Sequence, residues 1–452
     1  IKGVIFTGST EVAQLINRTL AKRAEQEGID IPLVAETGGQ NALIVDSSAL
    51  PEQVVQDVLS SAFDSAGQRC SALRVLFLQE DIADKTIKML KGAMQELRVG
   101  CPDRLATDIG PVIDAEAQRN LLAHIERTKA TARSHFALDL PASVVAAGTF
   151  VPPTVLEIAS LAELKQEVFG PVLHIVRYRR AELPAVIDAI NATGYGLTLG
   201  VHSRIDETIN TIVNRAHVGN IYVNRNIVGA VVGVQPFGGE GKSGTGPKAG
   251  GPLYLKRLQR GAAPLMEHVR QPEAALEALT SWLRANGQQP VAALAEGYAR
   301  TSLNGVSMDL PGPTGESNRL SFTPRGAVLC APATPAGLLN QLAAALATGN
   351  RALVLAPTPE AIPANLPAAV KERVRFVGKE EIDAADVAIA LVETGLAGLL
   401  RTQLAARPGA IVGIVDTDAL VPVDLWRLVA ERAVCVNTTA AGGNASLMTL
   451  GL

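Results

Sequence analysis

A chain of 452 residues has room for about three domains at roughly 150 residues each, every one long enough to bury its own core. Its 41 Lys and Arg against 44 Asp and Glu leave a formal charge of −3, so no basic stripe recruits nucleic acid and no basic amphipathic stretch marks a membrane surface. Apolar residues make up 47% of the chain and aromatics only 4%, with 41 Gly, which speaks for an α/β protein over a β-sandwich.

The apolar runs stop well short of the ~18 residues that cross a bilayer, and no signal peptide is visible. Cys70, Cys101, Cys330 and Cys435 lie too far apart for a zinc site or a redox pair, and no metal is expected. A reducing cytoplasm is the expected setting, with peripheral membrane association of a longer parent left open. A longer parent is expected because Ile1-Lys2-Gly3-Val4-Ile5-Phe6 reads as the middle of a strand.

In chain order, residues 4–6 read as a buried strand, 7–10 as a tight turn and 11–27 as a helix with Val12, Leu15, Ile16 and Leu20 on one face. A strand at 32–35 leads into Glu36-Thr37-Gly38-Gly39. Strands at 42–45, 74–78, 172–178 and 220–223 then alternate with helices at 51–66, 82–97, 116–131 and 183–191. A Gly-rich tract over 238–251 marks the first boundary. Beyond it, strands at 328–330, 352–355, 387–391, 411–415 and 434–436 alternate with helices at 336–347, 364–373, 395–406 and 425–432. This spacing predicts a parallel, doubly wound sheet, followed by an extended tail.

Three segments carry candidate chemistry. In Phe63-Asp64-Ser65-Ala66-Gly67-Gln68-Arg69-Cys70-Ser71, glycine breaks a helix and the cysteine falls in the next turn, where its backbone N–H can face a cleft and hold an oxyanion. A lone cysteine is more often a small buried hydrophobe, and Cys101, Cys330 and Cys435 keep that reading. Glu36 ends a strand beside two glycines, where doubly wound sheets place their sites; a solvated loop acid is the plain alternative. In Phe6-Thr7-Gly8-Ser9-Thr10, small residues open a helix whose N-terminus can meet a phosphate, although any tight β–α turn looks similar.

Together these segments resemble the aldehyde dehydrogenase superfamily in order and spacing. Glu167-Val168-Phe169-Gly170-Pro171 is similar to its cofactor-ribose motif, and Gly219-Asn220-Ile221-Tyr222-Val223-Asn224 and Pro236-Phe237-Gly238-Gly239 are similar to its closing motifs. The resemblance implies Cys70 as nucleophile, Glu36 as the base of deacylation, and a NAD site drawing on Gly8, Ser9, Thr10, Thr37, Gly38, Glu167 and Phe169. It also implies that an oxyanion Asn, a cofactor Lys and the acidic residue separating NAD from NADP lie upstream of Ile1.

Residues 229–239 and 243–252 more narrowly resemble the glutamate-semialdehyde (1-pyrroline-5-carboxylate) dehydrogenases. This implies Gly229 and Ala230 amides on the substrate α-carboxylate, a hydroxyl from Ser71, and Phe237 against the aliphatic part. Residues 35–51 and 437–449 resemble the bifunctional proline utilization A family. There a flavin (FAD) proline dehydrogenase precedes the dehydrogenase in one chain, and longer members carry an extra C-terminal domain. The implied function is NAD-dependent oxidation of L-glutamate γ-semialdehyde to L-glutamate.

The expected organisation is the end of a truncated NAD-binding domain at 1–38, an aldehyde dehydrogenase-like catalytic domain at 39–242 and a linker at 243–260. A Rossmann-like domain at 261–434 and an extended flap at 435–452 follow. Residues 324–355 resemble the first half of an aldehyde dehydrogenase cofactor domain, but Ala331-Pro332-Ala333-Thr334-Pro335 and Ala356-Pro357 replace its functional residues, so that domain is expected to be non-catalytic. A homodimer, another semialdehyde dehydrogenase, a Cys–Glu hydrolase or acyl-transferase, and a non-catalytic assembly fragment stay open at this point.

Overall fold

The computed structural model describes residues 1–28, 30–259, 273–356 and 359–439. The chain divides into two compact units. One comprises Ile1–Glu36, Gly244–Met308 and Leu320–Arg432; the other comprises Thr37–Ser243, Asp309–Arg319 and the chain from Ala433 on.

The second unit is organised by a ten-stranded sheet. From one edge its order is Ser307–Leu310, Glu316–Pro324, Val429–Asn437, Asn220–Val223, Thr198–His202, Ala42–Val45, Val75–Gln79, Val172–Tyr178, Thr154–Glu157 and Ser134–Ala137. From Val429–Asn437 to Thr154–Glu157 every pairing is parallel, and Ser134–Ala137 pairs antiparallel with Thr154–Glu157. Side chains alternate across the pleat. Leu43, Val45, Leu76, Leu78, Leu173 and Ile175 join one core with the helices Pro51–Phe63, Glu80–Gln95 and Ala115–Lys129. Ala42, Ile44, Val75, Phe77, Leu199 and Val201 join the other with Leu183–Ala192 and Asp206–Arg215. Burial on both faces explains why these strands read as nearly continuous apolar runs.

The first unit holds a second, five-stranded parallel sheet, ordered Val374–Val377, Arg351–Leu355, Ala327–Ala331, Ile389–Glu393, Gly413–Thr417. In chain order this is 3-2-1-4-5, the order of a doubly wound dinucleotide-binding sheet. Helices Ala274–Ala285, Gln289–Thr301 and Pro335–Ala347 cover one face, and Leu400 and Leu404 pack on the other. In the same unit Val4–Thr7 pairs in parallel with Leu33–Glu36, and helix Thr10–Glu27 lies against Ala397–Ala406, with Arg18 Nε donating to the Ala405 carbonyl at 3.3 Å. The α/β class read from the sequence holds in both units.

Several expected boundaries differ. The helix expected over 51–66 ends at Phe63, because Ser65 and Ala66 take left-handed backbone. The helix expected over 425–432 is a single 3-10 turn, Leu425–Leu428, and the chain then extends as Val429–Asn437. Its Val-Ala-Glu-Arg-Ala-Val-Cys-Val run is β-branched enough to take the parallel ladder that Asn220–Val223 offers. The helix expected over 364–373 shrinks to Ala368–Lys371, which starts only after Pro363 and Pro367. Strands Thr154–Glu157 and Thr198–His202, with their Thr, His and Gly, give no alternating signal and are found only in the structure. Of the expected linker, Tyr254–Leu258 is a short helix, and the Lys248 amide donates to Glu431 at 2.7 Å. Of the expected flap, Cys435, Val436 and Asn437 belong to the last strand, while residues 440–452 lie outside the described residues. Among the described residues no helix is long and apolar enough to cross a membrane.

Inside the larger sheet, His174 is fully buried and its Nε2 lies 2.9 Å from His124 Nε2, while its Nδ1 meets the Arg74 carbonyl at 3.1 Å. Burial first, then the neighbouring His124, pushes the His174 imidazole down to about 3 from 6.5. A folded-state value below the unfolded one means that the unfolded chain binds the extra proton between these limits, so stability falls as pH drops below 6.5. Urea unfolding should show about 2 kcal/mol lost to this group between pH 7 and pH 5, and His174→Asn should flatten that slope. An unchanged slope in the variant would show that His174 is not the group responsible.

Candidate active site

The cysteine turn is made by a change of backbone handedness. After helix Pro51–Phe63, Ser65 and Ala66 adopt φ of 57° and 53° inside the 3-10 turn Asp64–Gly67. Gly67 follows at φ 65°, where an added Cβ would lie 2.2 Å from the Gly170 carbonyl oxygen. Left-handed non-glycine residues cost on the order of 1 kcal/mol or more each, so the neighbourhood must hold them in place. Gln68 does part of this, its Nε2 donating to the Pro111 carbonyl at 3.3 Å and its Oε1 accepting from the Ile113 amide at 2.8 Å. The reversal delivers Cys70 as a half-exposed thiol. Cys330 is buried as expected, but Cys101 is exposed on a surface turn and is no core residue.

Two side chains fix the backbone around Cys70. The Asn41 amide donates to the carbonyls of Cys70 at 2.6 Å and Ala72 at 2.9 Å, and its oxygen accepts from the Thr198 amide at 3.1 Å. Arg74 is 1% exposed and gathers the rest: Nη1 donates to the Gly67 carbonyl at 2.6 Å, and Nη2 to the Arg69 carbonyl at 3.0 Å and Glu167 Oε1 at 2.9 Å. Burial lowers the Arg74 pKa, and the Glu167 carboxylate opposes that shift. The other Glu167 oxygen accepts from the Gly39 amide at 3.1 Å and faces Gly38, where a Cβ would sit 2.0 Å from it. The exposed Phe169 ring lies 5.1 Å from the Arg74 guanidinium carbon. Cys70, Gly38, Glu167 and Phe169 are thus assembled around Arg74 and Asn41, neither of which the sequence reading singled out. A signal existed for Arg74, since a cation inside Ala72-Leu73-Arg74-Val75-Leu76 needs a buried partner.

The remaining expected residues are placed by other contacts. Ser71 is buried and its carbonyl accepts from Thr198 Oγ1 at 3.3 Å. Thr37 is buried, its amide on the Ser243 carbonyl and its hydroxyl on that of Lys242. Gly229 and Ala230 are half-buried in the loop after Asn220–Val223. Asn220 closes the base of that loop, donating to the Pro236 carbonyl at 2.9 Å and accepting from the Gly238 amide at 3.2 Å, and so brackets Phe237. In the first unit, Glu36 ends its strand half-buried, and its carbonyl accepts from the Gly8 amide at 3.1 Å. Ser9 caps helix Thr10–Glu27, its hydroxyl accepting from the Val12 amide at 3.3 Å. Gly8, Ser9, Thr10 and Glu36 therefore share one end of the parallel pair Val4–Thr7 and Leu33–Glu36.

The smaller sheet has its own strand-end site, and it is filled. Glu393, the last residue of Ile389–Glu393, accepts from the Ala333 amide at 2.6 Å, the Thr334 amide at 2.9 Å and Thr334 Oγ1 at 2.7 Å, at the N-terminus of helix Pro335–Ala347.

Residues 1–260, with the cysteine turn, Glu36 and the Glu167 segment inside them, match the aldehyde dehydrogenase family. The chain belongs to the aldehyde dehydrogenase family. "Bifunctional protein PutA" of Salmonella typhimurium is 52% identical over 480 aligned positions, covering 100% of this chain and 36% of that protein. The chain therefore spans about a third of the length of that relative. Among solved structures, proline utilization A (PutA) from Corynebacterium freiburgense is 28% identical with a TM-score of 0.72, covering 97% of this chain and 42% of that one. 1-Pyrroline-5-carboxylate dehydrogenase from Thermus with bound NAD is 35% identical with a TM-score of 0.53, over 57% of this chain and 49% of that one.

Two glycines of this aldehyde dehydrogenase fold separate backbone demand from helix propensity. Gly67→Ala must push a methyl group into the Gly170 carbonyl at a left-handed position and should cost roughly 3 kcal/mol in urea unfolding, with slower alkylation of Cys70 by iodoacetamide. Gly92 lies inside helix Glu80–Gln95 with nothing near its Cβ position, so Gly92→Ala should gain about 0.5–1 kcal/mol. Equal effects at the two sites would mean that the cysteine turn is not held as described.

Proposed function

We propose that this chain is the dehydrogenase part of an enzyme that oxidises L-glutamate γ-semialdehyde, formed from 1-pyrroline-5-carboxylate, to L-glutamate with NAD. The observation that carries the reading is the cysteine turn: within the family-matched segment, Cys70 is half-exposed in a backbone reversal whose carbonyls Asn41 and Arg74 hold. The names of the relatives, one bifunctional and one solved with NAD, support the substrate and cofactor. In the longer parent, a proline dehydrogenase domain carrying FAD would supply the precursor of the semialdehyde.

The residues that the family resemblance suggests for NAD are Glu167, Phe169, Thr37, Gly38, Gly8, Ser9 and Thr10. Glu167 is immobilised by Arg74 and the Gly39 amide as an acceptor for ribose hydroxyls, and Gly38 leaves the space beside its carboxylate free of a Cβ. The start of an 18-residue helix suits a phosphate. NAD, when bound, supplies the acceptor for a hydride.

The chain's own residues carry the other steps. Cys70, as thiolate, adds to the aldehyde carbon, and its backbone N–H steadies the oxyanion of the thiohemiacetal. Once that carbon has lost its hydride, a thioester on Cys70 remains. Glu36 takes a proton from water, the water attacks the thioester carbonyl, and the Cys70 thiolate leaves as glutamate is released. Ser71, Gly229 and Ala230 hold the α-carboxylate, and Phe237 packs on the methylene chain. The smaller sheet is non-catalytic, because Glu393 already fills the helix N-terminus where a dinucleotide phosphate would sit.

In the full-length protein, Cys70→Ala is expected to lower semialdehyde oxidation by roughly 10³-fold or more, while Cys101→Ala keeps nearly full turnover. Stopped-flow traces of Glu36→Gln should show a rapid burst of reduced cofactor followed by slow turnover. Turnover retained in the Cys70 variant would remove the nucleophile, and equal slowing of both phases would give Glu36 another role.

A further inference from the structure

The loop bearing Gly229 and Ala230 is not self-supporting. Arg225 Nη2 donates to the Gly229 carbonyl at 3.0 Å, and Gln235 Oε1 accepts from the Val231 amide at 3.1 Å. Both side chains are held in turn by residues from far along the chain. Arg225 Nη1 pairs with Glu316 and lies 3.0 Å from Cys435 Sγ, and its guanidinium stacks 5.4 Å from the Tyr222 ring centroid. Gln235 Nε2 donates to Asn318 Oδ1 at 2.9 Å and to Cys435 Sγ at 3.1 Å. Cys435 stands opposite Tyr222 in the parallel ladder of Val429–Asn437 on Asn220–Val223, which fixes its sulfur beside Arg225. The Arg225 and Glu316 side chains are 12% and 18% exposed, so the pair is shielded enough to act as a fixed strut instead of a screened surface contact. Cys435 is therefore no inert core thiol but an acceptor within this cluster.

In a trans peptide the carbonyl of one residue and the N–H of the next point in opposite directions. Fixing the Gly229 carbonyl on Arg225 therefore fixes the Ala230 N–H on the other side of the same plane, while Gln235 takes up the Val231 N–H. We propose that Arg225, braced by Glu316, Asn318 and Cys435, is the positioning residue that aims the Ala230 amide at the substrate carboxylate. The segments Asp309–Arg319 and Ala433–Asn437 thereby set the preference for a carboxylate-bearing aldehyde. This rests on the reading of the substrate given above.

The test uses the full-length protein with two aldehydes: glutamate semialdehyde, and butanal, which has no carboxylate. Glu316→Gln should raise KM for the semialdehyde about tenfold, the worth of one misdirected charge-assisted hydrogen bond. Its kcat should stay within about twofold, and kcat/KM for butanal should not change. Arg225→Lys keeps the charge but cannot span Gly229 and Glu316 together, so it should show the same split; it also serves if Glu316→Gln fails to fold. Glu316→Asp should recover part of the loss. Equal losses on both aldehydes, or unchanged KM in both variants, would overturn the positioning role. A wild-type protein that does not prefer the semialdehyde to butanal would overturn the substrate reading itself, and this inference with it.

Discussion

A guanidinium buried to 1% exposure is the constraint from which the rest of this site follows. Arg74 cannot give up its charge, so taking it out of water demands acceptors on nearly every donor. The fold meets that demand with the carbonyls of Gly67, Arg69 and Gly170 and the carboxylate of Glu167. Each acceptor is thereby tied to the same point. The left-handed turn ahead of Cys70 is held from inside, and the residue proposed to meet the cofactor ribose is held at a set distance from the turn bearing the proposed nucleophile. The energy of satisfying one buried cation is used to order a strained loop and a charged side chain together.

The same logic recurs at the loop proposed to meet the substrate, where Arg225 ties the Gly229 carbonyl to Glu316 and Cys435. It recurs with the sign reversed in the smaller sheet. There a buried carboxylate, Glu393, takes two amides and a hydroxyl at a helix N-terminus that the strand order 3-2-1-4-5 would otherwise offer to a phosphate.

What the sequence made legible was local. Cys70, Glu36, Glu167 and the Gly229-Ala230 pair sit in short contiguous motifs whose order survives in the string. The apolar strands also announce themselves, because both faces are buried. The residues that hold the site together are not contiguous: Arg74 meets Glu167 across 93 positions, Arg225 meets Glu316 across 91, and Asn41 reaches Cys70 across 29. No pattern of period 2 or 3.6 encodes such partners. The misread ends have equally physical causes. Residues 425–432 carry leucines at helical spacing, but the free ladder edge of Asn220–Val223 outweighs that propensity. The helix expected through Ala66 stops where three successive residues turn left-handed to present a cysteine.

The central claim is that Arg74 and Glu167 act as one buried unit, and a double-mutant cycle in urea unfolding measures it most directly. Arg74→Met leaves a carboxylate without its partner and Glu167→Gln leaves a buried cation without its counter-charge, so each alone should cost about 3–5 kcal/mol. The double variant should cost well under the sum, with a coupling of about 2 kcal/mol or more. Additive losses within about 0.5 kcal/mol would contradict the account, because the cysteine turn and Glu167 would then be held by independent forces.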